Sequence, residues 1–377
     1  MTIGTEIPLA RPEIGEREQQ LVAEVLASGR LSLGPMLERF EREFASFVGC
    51  EQAIATSSGT AALHLAVRAE EWGAGDEVLT SPFSFIASAN CLLYEGVDTV
   101  FCDVDPRTLN IDPQAAEAAV TERTAGILAV DIFGYPADLP ALTALTRRQG
   151  FGLVEDACEA LGAVDAEGVA VGSRSHMTAF GFYANKQLTT GEGGMLTGGD
   201  QRQRIQAASE RNQGRATDMS WVEHDRLGFN YRLGDVAAAI GVAQLERLAD
   251  TLARREAVAQ AYRQALEGIE GLDLLCPNEG DERRSWFVFV VQLPDGTDRD
   301  GVMDGLRERG VASKSYFPCI HTQPLYRERF GFRGGEFPVA ERAAARCLAL
   351  PFFPGMEEAQ VHEVASALRG VLDLAGS

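Results

Sequence analysis

Lys186 stands in the run Phe-Tyr-Ala-Asn-Lys-Gln-Leu-Thr-Thr-Gly-Glu-Gly-Gly, Phe182 to Gly194, and Asp156 of a Glu155-Asp156 pair lies 30 positions before it. A lysine amine condenses with an aldehyde, and an aspartate holds a pyridine nitrogen protonated. Together they are the two protein groups that pyridoxal phosphate chemistry requires. Most lysines are solvated loop residues. Here Thr189-Thr190-Gly191 and Gly193-Gly194 make a small-residue turn into the apolar Met195-Leu196, where backbone passes close to something. A carboxylate at a strand end also serves as a helix cap, and both roles fit the carboxyl edge of an open parallel sheet.

A phosphate, a flat ring and an aldehyde each need a partner. Thr56-Ser57-Ser58-Gly59-Thr60 follows a strand and opens a helix over Ala61–Ala69, so its amides favour an anion, with Ser58 or Thr60 adding a hydroxyl. The same residues also suit a plain Ser/Thr helix cap. Phe85, with Phe83 as the alternative, ends a strand where a ring can lie on a pyridine, although an aromatic there is often core. Asp156 ends Gly152–Glu155, a strand expected deep in the sheet, where a carboxylate is costly unless a cation such as a pyridinium pairs with it. No Gly-x-Gly-x-x-Gly follows the first strand and no Gly-x-x-x-x-Gly-Lys-Ser/Thr occurs, which disfavours nicotinamide and nucleoside-triphosphate enzymes.

The elements that must position these groups follow from the hydrophobic pattern. Short apolar runs at Ala53–Ala55, Glu77–Leu79, Val100–Cys102, Gly126–Val130 and Gly152–Val154 alternate with helical stretches, the pattern of a doubly wound parallel sheet. Helices are predicted at Gly15–Ser28 and Pro35–Phe47, joined through Gly29–Gly34. A long one is predicted across Leu233–Leu266, with Ala237, Ile240, Leu245 and Leu248 on one side. Trp286–Val291 is a continuous β-prone run, followed by a helix near Arg299–Arg309. The expected architecture is α/β, with N-terminal helices and a large mostly parallel sheet domain over residues 1–250 and a smaller α+β domain over 251–377.

Composition bounds the partners. With 34 basic and 55 acidic side chains the formal charge is −21, which argues against nonspecific affinity for nucleic acid or anionic membrane. Seven cysteines without Cys-x-x-Cys spacing and five histidines without His-x-x-x-His or His-x-His pairs lead us to expect no metal site. Without an apolar run approaching ~18 residues, a cytoplasmic protein is expected.

At these residues the chain resembles the DegT/DnrJ/EryC1/StrS family of pyridoxal-phosphate-dependent sugar aminotransferases, of fold type I (aspartate-aminotransferase-like). The resemblance runs through Arg30–Pro35, Ser57–Leu63, Asp103–Asp105, Glu155–Ala157, the Lys186 segment, Gly228–Arg232 and His321–Pro324. It implies that Lys186 bonds the cofactor and shuttles the proton, that Asp156 partners the ring nitrogen and that Phe85 stacks on the ring. Gly59, Thr60 and Ala61 would meet the phosphate, and Asn230 would reach it from the other subunit, so an active homodimer with shared sites is implied. Tyr183, Arg232 and His321 would lie near the substrate. Three positions depart from the family pattern. Gly181 replaces a phosphate-binding serine, for which a water or Tyr183 would substitute. Glu159 replaces a Gln or His beside the cofactor's phenolic oxygen, and Asp131 replaces a strand-end histidine. The implied reaction moves an amino group from L-glutamate to the ketone of a nucleotide-diphosphate-linked keto-deoxysugar. A keto-cyclitol acceptor is the alternative, and a cofactor-binding regulator without turnover is a third reading.

Overall fold

The computed structural model describes residues 6–216, 223–276 and 282–375. Its large sheet has seven strands: β1 (Ala53–Thr56), β2 (Glu77–Thr80), β3 (Asp98–Phe101), β4 (Thr124–Val130), β5 (Gly152–Asp156), β6 (Met177–Gly181) and β7 (Gly194–Thr197). They lie in the order β1-β7-β6-β5-β4-β2-β3. Pairings among β2 to β6 are parallel, and β7 runs antiparallel to both β1 and β6. The carboxyl ends of β1, β2, β4, β5 and β6 therefore share one edge, with β5 at its middle.

Alternating side chains bury both faces of the sheet. Ile54, Leu128, Val130, Val154, Met177 and Leu196 meet the helix Gly59–Ala69. Ala53, Ala55, Phe180 and Met195 face the other way, against Phe40 and Phe44 of the helix Pro35–Val48 and Val242 of the helix Asp235–Glu246. Phe182, the first residue after β6, is fully buried, its ring edge-on to Phe40 and Phe44 at 5.5 and 5.6 Å. That anchor sets where the lysine loop begins.

A second sheet holds β8 (Phe289–Gln292), β9 (Lys314–Ser315) and β10 (Cys347–Leu350) in the antiparallel order β8-β10-β9. Its core joins Phe289, Val291, Leu348 and Leu350 to Val302, Leu306, Val361 and Leu368. Ile7 belongs to this core and bridges Val311, so the start of the chain returns to the C-terminal unit. Among the described residues no helix is long and apolar enough to cross a membrane.

Two expectations require correction. The long helix over Leu233–Leu266 is two helices, Asp235–Glu246 and Leu248–Ala265, parted at Arg247. Arg247 leaves helical geometry (φ −118°, ψ 8°) while its guanidinium bonds Glu13 O at 2.6 Å and Glu18 Oε1 at 2.7 Å. The buried face also differs in part: Leu248 is buried as expected, but Ala238, Ala239, Val242 and Ala243 are buried where Ala237, Ile240 and Leu245 are only half-buried. A helix apolar nearly all round gives periodicity little to select. The β-prone run Trp286–Val291 pairs only from Phe289 onward, because β10 ends opposite that residue.

The two units meet closely at Gly134. Its φ is +81°, and a β-carbon there would stand 1.7 Å from Ser285 O and 2.7 Å from Glu159 O. Only glycine tolerates both constraints. Gly134→Ala should cost more than about 2 kcal/mol of unfolding free energy through overpacking. Gly268→Ala, at φ +77° with open space around it, should cost only about 1 kcal/mol. Chemical denaturation of both variants checks this, and equal losses would show that the contact at Gly134 is unimportant.

Candidate active site

The lysine loop closes on itself. Phe182 N–H donates to Gly193 O at 2.9 Å, Thr190 N–H to Phe182 O at 3.0 Å, and Lys186 N–H to Tyr183 O at 3.0 Å. The Lys186 ammonium Nζ lies 3.4 Å from Glu159 Oε1 and 3.8 Å from the centroid of the Phe287 ring. Arg255, 5% exposed, donates from Nη2 to Lys186 O at 3.4 Å and from Nη1 to the carbonyls of Trp286 and Phe287, both at 3.3 Å. Gln187 Nε2 donates to Glu159 O at 2.5 Å and Ser285 Oγ at 2.9 Å. Lysine loop, β5 loop and the approach to β8 are thereby held as one block.

Four buried carboxylates stand at the ends of β4 and β5. Asp156 accepts from Ser88 Oγ at 2.7 Å and from its own loop, Cys158 N–H, at 3.1 Å. Ser84 Oγ lies 2.8 Å from Ser88 Oγ and extends that chain. Glu159 accepts from Phe133 N–H at 2.8 Å, and burial pushes its carboxyl above the usual range, opposed by the nearby Lys186 charge. Asp131 and Glu155 share a fully buried space. Burial, then the Glu155 charge, drives Asp131 well above the ordinary carboxylate range. Glu155 is held below it despite burial, because His176 Nε2 at 3.1 Å, Thr178 Oγ1 at 2.7 Å and the Asp131 proton all favour its charge.

At the other end of the edge, Ser58 Oγ accepts from Ala61 N–H at 3.1 Å, as a helix cap does. Ala61 is thus engaged, while Gly59 and Thr60 lie in the first turn, whose amides lack helical partners. A β-carbon on Gly59 would fall 2.8 Å from Cys158 Sγ and 3.1 Å from Gly181 Cα, and one on Gly194 would fall 2.5 Å from Ser58 O. Bare backbone and a helix N-terminus suit a phosphate group, so these residues fit the phosphate end of pyridoxal phosphate. Cys158, which fills the space beside Gly181, carried no sequence signal. Of the two phenylalanines, Phe83 is fully buried against Phe133 and Phe317, whereas Phe85 is 60% exposed at the open edge. Lysine, buried Asp156 and an open ring thus share one edge with the phosphate cradle, as the cofactor's shape demands.

The remaining residues are placed as follows. Arg232 bridges Thr56 and donates to Asn212 Oδ1 at 3.0 Å, which lays the Gly228–Arg232 segment beside the end of β1. Asn230 and Tyr183 are exposed. His321 is fully buried, with Nε2 3.1 Å from Glu341 Oε1 and its ring against Phe332 and Phe337. Its neighbour Ile320 donates its N–H to Pro82 O at 2.7 Å, and the His321 ring lies 6.4 Å from that of Phe101 at the end of β3. His321, Glu336 and Glu341 gather within 4.8 Å, a grouping no sequence spacing showed. Their carboxylates already accept amides of Arg333, Gly334, Gly335 and Phe337. Ser88, Gln187, Arg255 and Phe287 went unnoticed in the sequence. Gln187 adjoins the lysine and was open to discovery, while Phe287 comes from the other unit and was not.

The model of the DegT/DnrJ/EryC1/StrS aminotransferase family matches residues 12–369. The spore coat polysaccharide biosynthesis protein SpsC of Bacillus subtilis (strain 168) is 38% identical over 380 residues, spanning 97% of each chain. DesV of S. venezuelae, solved in complex with a ketimine intermediate, is 33% identical with a TM-score of 0.92, covering 97% of this chain and 98% of that one. The sugar aminotransferase CalS13 of Micromonospora echinospora is 28% identical with a TM-score of 0.89, covering 97% and 99%.

The acid pair behind the site has a pH consequence. Asp131 stays protonated in the fold after it would ionise in the unfolded chain, so its contribution to stability falls as pH rises above the ordinary aspartate range. Asp131→Asn carries no such loss. Its stability relative to the wild type should therefore increase from about pH 5 to about pH 8, read by denaturation at each pH. A difference that stays constant with pH would contradict a proton retained on Asp131.

Proposed function

We propose, from the premise that this chain belongs to the DegT/DnrJ/EryC1/StrS aminotransferase family, that it moves an amino group from L-glutamate to the ketone of a nucleotide-diphosphate-linked keto-deoxysugar. The observation that carries the reading is the Lys186 amine on the same sheet edge as the buried, doubly bonded Asp156. SpsC and CalS13, both named for saccharide chemistry, support a sugar acceptor.

Pyridoxal phosphate, when bound, would supply an aldehyde and an electron-withdrawing ring. Gly59 and Thr60 would bind its phosphate from the helix N-terminus, and Phe85 would cover the ring. Asp156, oriented by Ser88 and Cys158 N–H, would hold the ring proton. Lys186 Nζ would bond the aldehyde and, once displaced from it by the incoming substrate amine, would carry the substrate proton between carbons as a general base and acid. Asn230, Tyr183, Leu227 and Phe85 are exposed in the single chain. Their exposure supports a homodimer in which Asn230 reaches the partner's phosphate site and the substrate lies near Tyr183 and Arg232. A cytoplasmic location belongs to the same reading.

Purified protein supplied with cofactor and L-glutamate should convert nucleotide-linked keto sugars to products showing the ketone-to-amine mass change. Conversion of an inosose alone would move the acceptor to the cyclitols. No transfer to any ketone would overturn the assignment. Lys186→Ala should lower turnover by about 10²–10⁴-fold with its circular dichroism unchanged, and Asp156→Ala should also slow transfer. Near-normal rates in either variant would contradict the roles given.

A further inference from the structure

We propose that Glu159 and Phe287 form a seat that holds the Lys186 ammonium in the cofactor-free protein, with Phe287 acting as a positioning residue through the lysine. The inference rests on Lys186 being the cofactor-bonding lysine and concerns residues to which the family comparison assigns no such task.

The geometry is specific. One face of the Lys186 ammonium meets Glu159 Oε1 at 3.4 Å, and the Phe287 ring lies 3.8 Å away. A carboxylate and an aromatic face are the two groups that best accept an ammonium once water is excluded. The seat is also braced. Glu159 Oε2 is fixed by Phe133 N–H, its carbonyl by Gln187, and the carbonyls of Lys186 and Phe287 are both taken by Arg255. Phe287 is 3% exposed, so its ring has little freedom to leave.

The two groups come from different units, Glu159 from the loop after β5 and Phe287 from the approach to β8. The lysine therefore rests across the junction between them. Among the described residues, the other titratable or charged groups facing Glu159 are Asp156 at the end of β5, Cys158 from its own loop, Tyr316 after β9 and Arg284 before β8. Of these the acids and the thiol are not cations, and Arg284 donates to Phe133 O instead of Glu159. Lys186 is the partner that the carboxylate touches.

Releasing the lysine for attack requires only Lys–NH₃⁺ and Glu–COO⁻ to become Lys–NH₂ and Glu–COOH. Burial of Glu159 favours that neutral pair. Returning the proton restores the seat, so a single proton serves both directions with no other donor.

Lys186 and Lys314 are the only lysines in the chain, and Lys314 is exposed on β9. Lys314 is thus an internal reference. The full-length protein, freed of cofactor, is treated with formaldehyde and cyanoborohydride across a pH series, and methylation at the two lysines is read by peptide mass spectrometry. Glu159→Gln keeps the acceptor for Phe133 N–H and removes the charge. Its Lys186-to-Lys314 labelling ratio should rise about threefold near pH 7 and converge with wild type at high pH. Phe287→Leu should raise the ratio about twofold, while Phe287→Tyr should retain the wild-type profile because the ring face is kept. A Glu159→Gln profile that superimposes on wild type, or a Phe287→Tyr profile matching Phe287→Leu, would overturn the seat. The labelling uses no cofactor, so it can fail while amino transfer by the wild type stands.

Discussion

Four carboxylates, Asp131, Glu155, Asp156 and Glu159, are at most 8% exposed at the carboxyl ends of two neighbouring strands, and the surrounding structure compensates them. Unpaired buried charge is among the costliest features a fold can hold. Each acid has a distinct solution. Asp131 keeps its proton, Glu155 draws on His176 and Thr178, Asp156 takes one hydroxyl and one amide, and Glu159 faces a lysine. Asp156 takes its two hydrogen bonds from neutral donors, which suits the cationic ring partner proposed for it.

The seating of the smaller unit follows from the same cluster. Glu159 is linked through Gln187 to Ser285, and Ser285 O lies where only Gly134 can pass. Arg255 joins Lys186 O to Phe287 O across the junction. Its own ionisation is pulled down to about 10 by burial, and three carbonyls accept from its guanidinium. The proposed chemistry and the contact between the two sheets' surroundings therefore share residues. Loosening one would be felt in the other, a coupling that surface loops alone would not give.

Much of this was legible in the sequence. Short apolar strands bounded by glycine and polar turns announced the parallel sheet, and the lysine loop declared itself through its glycines. Antiparallel β7 was not foreseen, since a four-residue apolar run says nothing of direction. The break at Arg247 was hidden because it depends on Glu13 and Glu18, far away in the chain. Phe287 lay inside a run that looks like ordinary strand, and only tertiary placement turned it toward the amine. For His321 the resemblance implied a place near the substrate, and the structure adds what the sequence did not show, an aromatic cage and Glu341 around its ring.

The proposed function rests on the nitrogen of Lys186 as the covalent attachment point for an aldehyde cofactor. Borohydride reduction of the protein with pyridoxal phosphate, followed by peptide mapping, tests it most directly, because the chain offers only one other lysine. The reduced pyridoxyl group should be found on the peptide containing Lys186. Label on Lys314, on the terminal amine alone, or on no peptide would contradict it.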